Sequence, residues 1–97
     1  MKLVVTTQAQ EDLREIEEYI GNDNPKAALD FVQRLTERFH ELTNAPGIGR
    51  KRDDWAPGMR SSRVGDHLIF YRVRGETLEI VHVLHGRRDL PKIFGVE

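Results

Sequence analysis

The segments HLIFYRVR (67–74) and TLEIVHVLH (77–85) change character at almost every residue. Side chains that alternate in this way lie on opposite faces of an extended chain, so both segments are predicted strands. Gly75-Glu76 between them, and Gly65-Asp66 before them, can adopt the dihedrals of tight hairpin turns. Met59–Val64 supplies a further strand. Near the start, Lys2–Thr6 is short and β-branched and reads as a first strand.

Between these strands the period lengthens. Ala9, Leu13, Ile16 and Ile20 recur at steps of four, three and four, which draws one apolar stripe along a helix. Asp12, Glu15 and Glu18 are expected on the opposite side. Thr7-x-x-Gln10 fits a capping box at the start, and Gly21 fits a left-handed C-cap at the end. Ala28, Val32, Leu35, Phe39 and Leu42 draw a second stripe. Asn24 is its expected cap, and Pro25 suits the first turn, where its missing N–H has no partner to lose. This helix is predicted over 25–43. So short a joint between two helices favours an antiparallel hairpin. Residues 44–58, broken by Pro46, Gly47, Gly49, Pro57 and Gly58, read as a loop.

The order β-α-α-β-β-β predicts one α+β domain over 1–97: a helix hairpin on a small, twisted, mainly antiparallel sheet. Leu68 and Phe70 share one sheet face, with Ile69, Tyr71 and Val73 on the other. On the last strand Leu78, Ile80 and Leu84 oppose Val81 and Val83. Both faces are thus partly apolar. The hairpin covers one; the other is either a shallow second core or a groove for a partner.

Composition narrows the classes. Hydrophobic residues make up 38% and charged residues 32%, and there is no cysteine for a disulfide, a zinc site or a thiol nucleophile. No apolar run is long enough to span a bilayer and no leader pattern is evident, so a cytoplasmic location is the simplest expectation. No histidines and carboxylates show metal-ligand spacing, and no cofactor is expected. The net charge of −1 hides an asymmetry: residues 1–47 hold 5 Lys/Arg and 9 Asp/Glu, residues 48–97 hold 10 and 7. The strand-rich half therefore favours an acidic partner. The helices are acidic, which disfavours a module for sequence-specific DNA binding.

The last strand ends in a charged knot, His85-Gly86-Arg87-Arg88-Asp89. RNA cleavage through the 2′-hydroxyl needs a base, an acid and cationic donors. His85, Tyr71, Arg60, Arg87 and Arg88 are the residues able to fill those roles. Each also has a plain structural reading: Tyr71 as core, His85 as a hydrogen-bonding end to the sheet, Arg60 in a salt bridge to an acidic helix, Arg88 paired with Asp89. Arginine at 87 and 88 also suits bidentate capture of a partner's carboxylates. Trp55, alone in a Pro/Gly-rich loop, plugs a core edge or serves as a contact anchor. Arg50-Lys51-Arg52 reads as solvated loop, and His67 and His82 as structural or surface positions.

The stretches AQEDLREIEEYI, NPKAALDFVQRL, APGIGRKRDDWAPGMRSSRVGDHLIFYRV and EIVHVLHGRRDL resemble, in order and over almost the whole chain, the ParE branch of the RelE/ParE toxins. The resemblance implies a toxin of a type II toxin–antitoxin pair. It implies neutralisation by a ParD-like ribbon-helix-helix antitoxin, in a higher-order hetero-oligomer, and DNA gyrase as target. RelE members instead cut mRNA on the ribosome, and a third possibility is an inactive member that only binds its antitoxin. The Arg88-Asp89 pair, Arg60 in PGxRS and the HGRRD ending match the ParE pattern, while Arg87 stands where many relatives carry a small residue. Trp55, Arg60, His85, Arg87 and Arg88 are the expected antitoxin or target contacts. Asp89, Asn24 and Pro25 are expected to be structural. The tail of the antitoxin is expected over the open sheet face.

Overall fold

A computed structural model describes residues 1–88 and 90–93. The elements are β1 (Lys2–Val5), α1 (Thr7–Gly21), α2 (Pro25–Asn44), a 3-10 turn (Pro46–Ile48), β2 (Arg50–Lys51), β3 (Arg60–Val64), β4 (His67–Arg74), β5 (Thr77–His85) and α3 (Leu90–Ile93). The five strands form one sheet in the order β1-β5-β4-β3-β2. β1 runs parallel to β5, and the other pairings are antiparallel. The α+β class and the β-α-α-β-β-β order hold, with the two-residue β2 added inside the expected loop. Gly65 and Gly75, both at φ +58°, make the two hairpin turns.

The helix ends differ from expectation in two places. The cap of α1 is Thr6, not Thr7. Its hydroxyl accepts from Ala9 N–H at 3.2 Å and donates to Ile80 C=O at 2.8 Å, so one side chain joins sheet to helix. Gln10 turns its amide to Val5 C=O instead of closing a capping box. Gly21 is not left-handed. The chain passes through Asn22 with φ −61°, and the N–H groups of Asn22, Asp23 and Asn24 satisfy the carbonyls of Glu18 and Ile20. The start of α2 is as expected, with Asn24 Oδ1 accepting from Ala27 N–H at 3.1 Å and Pro25 in the first turn.

A β-bulge corrects the assignment of faces. Ile69 pairs with Val83 and Phe70 with His82, but Tyr71 pairs with Ile80, leaving Val81 as the extra residue. The phase of β5 therefore flips. Val83 joins Leu78 and Ile80 beneath the helices, against Leu35, Phe39 and Leu42. Leu84 moves to the far face.

That far face is not open. Met59, Leu68, Phe70, Leu84 and Leu90 form a second buried cluster, with Trp55, Ala56, Val81 and Ile93 packed against it. The Trp55 loop and α3 seal it, so the expected groove over this face is replaced by a shallow core. Burying these side chains offsets the ordering of two irregular segments, since each fully buried large apolar side chain stabilises by roughly 1.5–3 kcal/mol.

Candidate functional site

His67 and His85 stand directly opposite each other where β4 begins and β5 ends. Their rings meet edge-on with centroids 5.2 Å apart, and Phe31 of α2 lies 5.1 Å from His67 on the other side. Burial pushes the His67 pKa down, and the neighbouring His85 pushes it the same way, against a smaller upward pull from Asp66. The charged knot that follows is an ordered turn. Gly86 N–H donates to Asp66 C=O at 2.8 Å, which docks it on the β3–β4 turn. Arg87 N–H donates to His85 Nδ1 at 3.1 Å, and Arg88 N–H to His85 C=O at 3.0 Å. Arg87 and Arg88 are exposed. Asp89 lies outside the described residues, and so does its expected pairing with Arg88.

Between this end of the sheet and α1 runs a groove of about 460 Å³. Ile16 and Tyr19 give it an apolar wall, the strand at Val83 and Leu84 forms its floor, and His67, His85, Arg88, Glu15 and Asp12 give it polar sides. Tyr19, on α1, is 83% exposed.

Asp12 is the residue that sequence reasoning misplaced. It is buried. Its Oδ2 accepts from Val83 N–H at 3.0 Å and lies 2.9 Å from His82 Nδ1, while Oδ1 accepts from the Gln8 amide at 2.9 Å. Burial pushes its pKa up, but the bonds from His82, Val83 and Gln8 together outweigh burial and hold the carboxyl below its ordinary value. The spacing carried the signal. Asp12 is three residues after Ala9 and four before Ile16, within the buried stripe rather than opposite it.

The structure separates the proposed catalytic set. Tyr71 is fully buried; its hydroxyl donates to Pro46 C=O at 2.8 Å and accepts from Gly49 N–H at 2.9 Å, and burial raises its pKa. Arg60, beside it on β3, donates to Gly49 C=O at 2.8 Å and Gly47 C=O at 3.3 Å rather than to a helix carboxylate. Together they fasten the 46–49 turn. Tyr71 lies four positions along β4 from His67, the partner of His85, so His85 sits about 13 Å further along the sheet, at ~3.3 Å per residue. Trp55 belongs to the second core, where the Arg52 guanidinium lies 5.4 Å from its ring and 5.5 Å from that of Phe70. Among the described residues, no helix is long and apolar enough to cross a membrane.

The family model described as "ParE toxin of type II toxin-antitoxin system, parDE" matches residues 3–90, from β1 through the charged knot. The chain belongs to the ParE toxin family. Toxin ParE3 of Caulobacter vibrioides is 35% identical over 74 residues, which are 76% of this chain and 74% of that one. Toxin ParE1 of Mycobacterium tuberculosis is 44% identical over 66 residues, 67% of each chain. Among solved structures, the chromosomal ParDE toxin–antitoxin system from P. aeruginosa superposes with a TM-score of 0.77 at 26% identity, covering 88% of this chain and 95% of that one. The fold expected from the resemblance is therefore the fold observed, and this ParE family member carries the two-turn tip and the groove beside α1.

Proposed function

We propose that this toxin inhibits DNA gyrase by binding, without covalent chemistry of its own, and that a ParD-like ribbon-helix-helix antitoxin neutralises it in a higher-order cytoplasmic complex. One observation carries the choice of binding over cleavage. Tyr71 and Arg60, the acid–base and donor candidates of a nuclease, are committed to the 46–49 turn, well away from His85. β4 brings only His67 to His85, its ring packed against Phe31 as well, so the Tyr71, Arg60 and His85 set expected of a nuclease does not converge on one phosphodiester.

The groove beside α1 suits an antitoxin tail better than the sealed far face does. Ile16 and Tyr19 offer apolar contact, and Arg88 on its rim suits an acidic side chain. The P. aeruginosa neighbour is a ParDE system, which supports an antitoxin of that type here.

Purified toxin, tested in gyrase supercoiling and DNA-cleavage assays beside a translation assay, decides the matter. The expected result is trapped cleaved DNA with mRNA intact, reversed by the antitoxin. Cleaved mRNA, abolished in His85→Ala, would establish the RelE-like nuclease instead. Unaffected growth on expression without antitoxin would mark an inactive member that only binds its partner.

A further inference from the structure

Arg63 is remote in sequence from the knot at the end of β5, yet the fold brings them together. Gly86 marks where they meet. A Cβ at that position would lie 3.4 Å from Asp66 C=O and 3.7 and 3.9 Å from the two terminal nitrogens of Arg63. The Arg63 guanidinium therefore lies against the Gly86 turn that carries Arg87 and Arg88. The three arginines share one tip, held by the 2.8 Å bond between Gly86 N–H and Asp66 C=O.

Among the described residues, nothing balances their charges. Arg14, Arg38, Arg72 and Arg74 each meet a glutamate. Among the described residues, Arg63, Arg87 and Arg88 meet no carboxylate at ion-pair distance. Arg63 has only a 3.5 Å contact to Gly65 C=O. Guanidinium is always charged at physiological pH and its planar fork matches a carboxylate. Arg60, by contrast, has its donors turned to backbone carbonyls.

We infer that Arg63 joins Arg87 and Arg88 in a single three-arginine site that captures the acidic side chains of a partner's peptide tail seated in the adjoining groove. The inference rests on the antitoxin reading above and replaces Arg60 with Arg63 as the third cation. A carboxylate-bearing peptide suits the site better than nucleic acid. The tip adjoins the Ile16 and Tyr19 wall of the groove, which gives a peptide's apolar side chains contact that a phosphate backbone cannot use.

The test is an NMR titration of the full chain with a short synthetic peptide carrying leucines and glutamates. Its glutamine counterpart and a short DNA duplex serve as controls. Shifts are expected at Arg63, Arg87 and Arg88, with Arg60 and the exposed Arg50–Lys51 pair unmoved. Arg63→Gln should weaken the peptide roughly three- to fivefold, as for loss of one exposed ion pair, with Arg63→Lys recovering part of the loss. Unchanged peptide affinity in Arg63→Gln, while Arg87→Gln and Arg88→Gln weaken it, would overturn the role of Arg63 and leave the antitoxin reading standing. Equal binding of the glutamine peptide, or binding of the duplex alone, would overturn the carboxylate site itself. The gyrase assay reads the toxin's action separately from all these outcomes.

Discussion

Asp12 accepts hydrogen bonds from a helix amide and a strand N–H and touches a histidine as well. Removing it strands the buried Val83 N–H, so Asp12→Ala should lower the unfolding free energy by about 1–3 kcal/mol. Urea denaturation measures this, and a change within experimental error would contradict the role. Because its native pKa is below the unfolded value of 3.8, the contribution is complete above 3.8 and disappears as pH falls through the lower native value. The same sign applies to His67, whose pKa is lowered from 6.5. Between 6.5 and its native value the unfolded chain binds the extra proton. Stability should therefore fall on acidification below 6.5, and His67→Gln should flatten that part of the pH profile. A slope unchanged in the variant would assign it elsewhere. Tyr71 gives the third residue-scale test. Tyr71→Phe strands Pro46 C=O and Gly49 N–H, for a loss of about 1–3 kcal/mol, with toxicity per folded molecule unchanged. Gly49→Ala should be at least as damaging, because its Cβ would lie 2.1 Å from the Tyr71 hydroxyl and 2.7 Å from the ring.

At the scale of elements, side chains manage the open edges of the sheet. β1 covers β5 only as far as Ile80. Beyond it, Asp12 takes Val83 N–H. At the other side, β2 covers only Arg60 and Ser61 of β3. Beyond it, Arg38 of α2 donates to Arg63 C=O at 2.9 Å and Ser62 Oγ at 2.7 Å. Each helix thus blunts one edge that would otherwise invite strand pairing. The strands and helices were legible because alternation and the 3.6 period are strong over eight or more residues. What stayed hidden lacked a period. β2 has two residues, too few to alternate. The bulge is masked because Val81, Val83 and Leu84 are all apolar, so no pattern broke at the flip. Two adjacent threonines left the cap ambiguous by one position. Trp55 could not be assigned without knowing that Arg52 and Phe70 complete its setting. Truncating it should remove roughly 2 kcal/mol by opening the edge of the second core. Partner affinity should hardly change in Trp55→Ala once the folded fraction is accounted for.

For the whole molecule, what matters is where the fold leaves surface unoccupied. One sheet face is covered by the helices and the other by the Trp55 loop and α3. The proposed partner contact therefore falls at the end of the sheet, where the His67–His85 pair, three arginines and the groove along α1 meet. His85, Arg87 and Arg88 were visible in the sequence as a strand that stops in charge. Arg63 and the α1 wall were not, because only the docking of two turns and the packing of α1 on β5 bring them there. Hydrogen exchange on the toxin alone and bound to its antitoxin tests this placement most directly. New protection is expected along Ile16–Tyr19 and at His85–Arg88, with the Trp55 loop unchanged. Protection confined to the Trp55 loop and α3 would contradict that placement.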